Sequence, residues 1–387
     1  MKKKIFFLIH SMNVGGVEKA MLGLLSVIPL DQYEVHLGLL HKKGGFIDFI
    51  PPQVKIHEIN CYDKYWGLIN DPPLLCIKQM LKYGFVLDAF VHLLLYIHFK
   101  LTKNRYWFYR YIMRNEPQFP IKFDLAVAFA GPSQMMDYYI CRHVDAITKC
   151  GWIHFDISKF GIDVGMTRQL YKHYKRIFIV SEIGKKIFDQ TFPLFKDKTE
   201  VFHNVVSPIQ IKELAASGES FQDDYKGVRI LSVGRISQEK GQLVAIQALK
   251  ILKDQDYLVR WYFIGEGSDM EHCKSEVDRL GLSEDVSFLG TKTNPYGYIR
   301  DCDIYMQPSR HEGFCITLAE ALCFGNPIVA TDFTGAREQL VDRENGFIVG
   351  MDAEAIASGI EKALSASKTT KVRDIENSDV EKLLSLL

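Results

Sequence analysis

The chain has 387 residues and a mass of 44.4 kDa, with 47% hydrophobic and 24% charged residues. That excludes one small module and wholesale disorder and points to two domains or three. Lys plus Arg and Asp plus Glu both number 47, so no global basic field exists to gather nucleic acid, and an anionic ligand has to be held by local chemistry.

The start, Met1-Lys2-Lys3-Lys4 followed by the apolar run Ile5 to Ile9, is too short for a signal peptide and reads as a strand buried on both faces. It ends in His10 to Gly16, after which Val17, Ala20, Met21, Leu24, Leu25 and Ile28 keep helical spacing: strand, glycine loop, amphipathic helix. Strand candidates follow at Glu34 to Leu40, Phe123 to Ala130 and Arg176 to Val180, and one α/β domain therefore fills the first half. Inside it, Cys61 to Asn115 stands apart. Lys100 to Arg114 carries Lys100, Lys103, Arg105, Arg110 and Arg114 with no acid, interleaved with aromatics that include Trp107. Such a helical surface suits an anionic membrane interface or an acceptor, against the plainer reading of a solvated helix packing its aromatics on the core. The longest apolar stretch, Phe85 to Phe99, is interrupted and too short to span a bilayer.

Asn204 to Gly227, with Pro208, Gly218 and a polar run, reads as a linker. A second α/β series opens at Val228 to Gly234 and continues with strand candidates at Val259 to Ile264, Val286 to Leu289, Ile304 to Gln307, Pro327 to Ala330 and Phe347 to Val349. The rhythm predicts an α/β chain of two doubly wound parallel sheets, with a cleft between domains as the default ligand site. The expected boundaries are 1–205, 206–365 and a tail at 366–387 that packs back on the first domain. Eight cysteines without a C-x-x-C pair or suitably spaced histidines predict a reduced, cytosolic chain with no structural zinc.

Two constellations carry chemistry. Pro308 to Leu322 runs from a strand end into a helix whose Thr317 and Glu320 share a polar face. Glu312 lies in the loop before it, and the amides of Phe314, Cys315, Ile316 and Thr317 are donors without helical partners, placed to hold a diphosphate. A carboxylate near a first turn can also simply favour the helix dipole, but Glu320 lies too deep for that. Gly234 to Gly241 follows another strand and sets Arg235 and Lys240 on the same sheet edge, so that two cations can neutralise a diphosphate without a metal.

Glu312 and Glu320 form an EGF-x5-E pattern. With GR-x4-KG, Gly15-Gly16 and Gly265-Glu266-Gly267, the chain resembles the family 4 glycosyltransferases of the GT-B fold over nearly its whole length except Cys61 to Asn115. The resemblance implies two Rossmann-like domains facing a cleft and retention of anomeric configuration. It places Arg235 and Lys240 on the donor diphosphate, Glu312 on the sugar hydroxyls and Glu320 on the ribose. Gly313 to Thr317 would hold sugar and phosphate, and Gly15 and Gly16 would lie close to donor and acceptor. His154, after a strand, would approach the transferred sugar. Cys315 stands where the family often has glycine, and Asn204-Val205 where it often has Asn-Gly. Cys315 reads as a small packing residue without a base beside it, and Asp301-Cys302-Asp303 as structural rather than a metal site.

The expectation is thus a cytoplasmic transferase, peripheral on the inner face of the cell membrane. It would move a hexose or N-acetylhexosamine from a nucleotide sugar, UDP-linked, to a growing and lipid-linked glycan of a surface polysaccharide, with no cofactor and no metal. A GT-B nucleotide-sugar epimerase and a Rossmann dehydrogenase are the alternatives; the latter lacks G-x-G-x-x-G after its first strand.

Overall fold

The computed structural model describes residues 2–159, 161–341, 343–369 and 379–387, and the tail expected at 366–387 falls partly outside them. The chain forms two compact units. The first holds the described residues of 2–13 and 25–202 and the closing helix Asp379–Leu384; the second holds Val14–Leu24 and the described residues from His203 to Thr369. The start of the helix Gly16–Val27 therefore clusters with the second unit.

The first unit is a seven-stranded parallel sheet: β1 (Lys3–Ile9), β2 (Tyr33–Leu39), β3 (Lys55–Glu58), β4 (Phe123–Gly131), β5 (Ala146–Ile153), β6 (Arg176–Ile179) and β7 (Thr199–Val201), in the order β3-β2-β1-β4-β5-β6-β7. β1 lies inside the sheet between β2 and β4, with Ile5 between Val35 and Leu125, and Ile5 to Leu8 are fully buried, which is why the run is continuously apolar. The short edge strands β3 and β7 escape sequence reading because they are half polar. β3 is anchored by His57, whose Nε2 lies 2.8 Å from Nδ1 of the buried His36. The closing helix is tied to this unit where Lys382 Nζ donates to the Val201 carbonyl at 2.8 Å.

Cys61 to Asn115 folds as four helices, Cys61–Asn70, Pro73–Lys82, Val86–Thr102 and Tyr106–Ile112. The single helical surface expected over Lys100 to Arg114 is broken at Lys103, which ends the third helix in left-handed backbone at φ 52°.

The second unit is a six-stranded parallel sheet: β8 (Val228–Val233), β9 (Val259–Ile264), β10 (Val286–Phe288), β11 (Ile304–Gln307), β12 (Ile328–Thr331) and β13 (Gly346–Val349), in the order β10-β9-β8-β11-β12-β13. Asn204 to Gly227 is less a linker than expected. It contains the helix Pro208–Ser217, and its polar run is fixed to the sheet, because Asp223 accepts from Arg229 at 2.7 Å and Tyr262 at 2.5 Å.

Candidate active site

In the second sheet the strand order reverses between β8 and β11, and a crevice outside their carboxyl ends is where such folds bind ligands. The two motif loops leave from these two strands. They close on each other only because Gly241 has no side chain: its φ is +70°, and a Cβ there would stand 2.0 Å from the Pro308 carbonyl oxygen. Gly265 is under the same constraint against the Gly234 carbonyl oxygen, also at 2.0 Å.

Across this junction Lys240 Nζ pairs with Glu312 Oε1. Burial alone would lower the Lys240 ammonium, but the Glu312 carboxylate reverses this and holds it above the usual lysine value. Glu312 is oriented from β11 by a relay of buried side chains. Ser309 Oγ donates to Glu312 Oε1 at 2.9 Å, and Gln307 Nε2 donates to Ser309 Oγ at 2.8 Å. Tyr305 and Thr317 hydroxyls in turn donate to Gln307 Oε1 at 2.8 and 3.1 Å. Thr317, expected on a ligand-facing surface, spends its hydroxyl proton inside this relay. Arg235 is exposed at the end of β8, with Glu239 3.6 Å away, so its guanidinium remains accessible to an anion.

The helix after the Glu312 loop, Ile316–Ala321, is only six residues long, so its dipole is small and any anion affinity rests on individual amides from Gly313 to Thr317. Cys315 caps it in left-handed backbone at φ 64°, which explains why glycine suits this position. Burial, and then the nearby Glu312, push its thiol far above the ordinary range, consistent with a packing residue. Left-handed backbone costs an L-residue roughly 1–2 kcal/mol. We therefore expect Cys315→Gly to be more stable than Cys315→Ala by ~1 kcal/mol, the reverse of the usual order, in urea melts.

Glu320 is buried, as expected of a residue deep in an apolar helix, but it is not unpartnered. Lys19 Nζ reaches both carboxylate oxygens at 2.8 Å, and Tyr296 OH donates to Oε1 at 2.7 Å. The lysine also lies 5.0 Å from the Tyr296 ring centroid. The resemblance assigns Glu320 to a ribose, whereas here these two side chains meet its carboxylate. Around Gly15 and Gly16, Glu18 is the acidic residue of the first turn, and its carboxylate lies where a Gly15 Cβ would be, 2.6 Å away. Burial raises the Glu18 pKa, while Arg235 acts in the opposite sense.

In the first unit His154 follows β5, with its ring 4.6 Å from that of Phe129 and stacked on Trp152 at 6.1 Å. Burial lowers its pKa to about 3 against a hydrogen bond to the Phe129 backbone, and Nε2 has no partner. The imidazole is therefore neutral, with one nitrogen unengaged. As pH falls below the usual histidine value of 6.5, the unfolded chain takes up a proton that the folded one refuses, so this group's stability is present above 6.5 and lost toward about 3. Asp137, raised by burial to about 7, acts oppositely, its contribution fading as pH climbs from 3.8 toward 7. The wild-type minus His154→Asn difference in unfolding free energy isolates the histidine, and it is expected to shrink by a few kcal/mol between pH 7 and pH 4.

The residues expected at a membrane or acceptor surface separate. Arg105 is built into the fold, its amide donating to Asp163 at 2.7 Å and its guanidinium to the Ile69 carbonyl at 3.2 Å. Arg114 lies 3.9 Å over Tyr111 and 3.4 Å from Asp88. Lys100, Lys103, Trp107 and Arg110 are exposed, and Arg110 stacks on Trp107 at 5.1 Å. Asp301 and Asp303 are engaged by Arg300 and Ser220 and by the Arg229 amide. No metal-holding group of three His, Cys, Asp or Glu occurs among the described residues. Lys19, Tyr296, Ser309 and Gln307, which hold the candidate residues Glu320 and Glu312, are neighbours that sequence reasoning missed. Gln307 and Ser309 had a signal, polar residues at the end of a buried strand, whereas Lys19 had none.

Residues 219–378 match the family described as "Glycosyl transferases group 1", and this match includes both Glu312 and Lys240. The matched stretch is similar to the group 1 glycosyltransferases and takes in about two fifths of the chain. Among curated relatives, an uncharacterized glycosyltransferase of Methanocaldococcus jannaschii is 26% identical over 184 residues, covering 46% of this chain and 45% of the relative. The capsular polysaccharide biosynthesis glycosyltransferase CapM of Staphylococcus aureus is 33% identical over 136 residues, covering 34% and 36%. The chain thus spans less than half the length of these two relatives. The crystal structure of Anabaena HepE in complex with UDP-glucose superposes with a TM-score of 0.68 at 19% identity, covering 99% of this chain and 100% of that one. The two parallel-sheet units share the GT-B fold with it.

Proposed function

We propose that the chain is a retaining glycosyltransferase that moves a hexose or N-acetylhexosamine from a UDP-sugar to a growing, lipid-linked glycan at the inner face of the cell membrane. The observation that carries the reading is the Lys240–Glu312 pair with the accessible Arg235, set outside β8 and β11 of the stretch similar to the group 1 glycosyltransferases. A departing diphosphate needs fixed positive charge and the transferred sugar needs an oriented carboxylate; these three residues supply both. HepE bound to UDP-glucose and the capsular role of CapM support the donor and the class of product. In this reading Glu320 meets the ribose by exchanging Lys19 or Tyr296 for the hydroxyls.

The test is UDP release from a panel of UDP-sugars with and without glycan acceptors. Acceptor-dependent release with retained anomeric configuration supports the proposal, while UDP-sugar epimerised without acceptor would place the chain among the epimerases. Turnover is expected to survive EDTA, since Arg235 and Lys240 already supply the charge. Loss with EDTA and recovery with Mn²⁺ would contradict that.

A further inference from the structure

A cluster of exposed apolar side chains lies on the hairpin of helices Pro73–Lys82 and Val86–Thr102, which pack on each other. On the second helix Leu87, Phe90, Leu94, Ile97 and Leu101 recur at alternating steps of three and four residues, so they line one stripe, and all are exposed. Leu87 is 76% exposed, Phe90 57% and Leu101 80%, whereas the opposite face packs inward through Ala89 and His92. The hairpin tip adds exposed Tyr83 and Phe85. A stripe of this width is what a helix buries against a partner, and isolated exposed leucines would need no such account.

Charge selects the partner. From Pro72 to Asn115 the sequence has seven cations and a single acid, Asp88, in a chain of zero net charge. Asp88 is engaged by Tyr111 OH at 2.5 Å. Lys78, Lys82, Lys100, Lys103 and Arg110 remain exposed around the apolar stripe. Two copies of this face would bring like charges together, whereas an anionic bilayer offers both an apolar interior and a negative surface. The helix Val86–Thr102 has 17 residues, and no helix among the described residues is long and apolar enough to cross a membrane, so it would lie in the interface plane.

We infer that this hairpin is the membrane-inserting element, its apolar stripe entering the headgroup and acyl boundary of an anionic leaflet while the lysines and Arg110 contact headgroups. The inference rests on the proposed membrane-side acceptor and replaces adsorption through Lys100 to Arg114 with insertion through a different face. It predicts binding that high salt weakens and does not abolish, because the apolar part is not screened.

The experiment is co-sedimentation of the full chain with vesicles of phosphatidylcholine and phosphatidylglycerol, at low and high salt, for wild type, L87S/F90S/L94S/L101S and K100Q/K103Q/R110Q. All seven positions are exposed, and thermal melts confirm that each variant is folded. The serine variant should partition more than about tenfold less at both salts. The glutamine variant should lose binding mainly at low salt. Equal sedimentation of wild type and serine variant would overturn insertion. So would a wild type that ignores vesicles and forms a dimer that the serine variant dissolves, since the stripe would then serve a second copy. UDP release with a detergent-solubilised acceptor is measured in parallel. If it persists while vesicle binding fails, the insertion falls and the transferase reading stands.

Discussion

Glu312→Ala is expected to slow sugar transfer by ~10²–10³-fold while changing UDP affinity far less. The carboxylate is held by Ser309 and Lys240 and backed by Gln307, Tyr305 and Thr317, so its position is fixed before a donor arrives. Preorganised groups of this kind act on charge that develops during reaction, and their loss appears in kcat. Lys240→Ala should instead weaken UDP binding, because it removes a cation from the diphosphate and leaves Glu312 with Ser309 alone. Single-turnover kinetics with UDP-sugar separate the two effects. Near-wild-type turnover in Glu312→Ala would remove it from the reaction.

Lys19→Met should destabilise the fold by ~3–5 kcal/mol, the cost of leaving a buried charge without its counter-ion. The Lys19 and Glu320 side chains are only 11% and 4% exposed, and Tyr296 OH also donates to the Glu320 carboxylate. Adding Glu320→Gln to Lys19→Met should restore most of the loss, since the amide needs no counter-charge and can still accept from Tyr296. Urea unfolding of the two single variants and the double variant measures the coupling. Stability that is unchanged in Lys19→Met would show that the pair is dispensable and leave Glu320 free for a ligand.

The central strands were legible because burial on both faces forces apolar runs, as in Ile5 to Leu8 and Ile304 to Met306. The edge strands Lys55–Glu58 and Thr199–Val201 were not, since a short strand with one open side carries no such run. The Glu312 and Lys240 loops were legible as motifs at strand ends, and their direct pairing follows from the adjacency of β8 and β11, which no local pattern contains. Glu320 was rightly read as too buried to stand alone. Its partner Lys19 lies 301 residues away, and only tertiary structure brings them together. In the helical insertion, sequence placed the membrane surface by counting cations. The structure consumes Arg105 in backbone contacts and exposes instead the apolar stripe of the preceding helix.

The most direct test of the central claim, that Arg235 and Lys240 hold a nucleoside diphosphate at the crevice outside β8 and β11, is calorimetric titration of UDP into wild type and Arg235→Gln/Lys240→Gln. Two charge-assisted contacts are each worth ~1.5–3 kcal/mol, so the double variant should bind at least about 100-fold more weakly with its melting behaviour preserved. Equal UDP affinity in the two proteins would contradict the account.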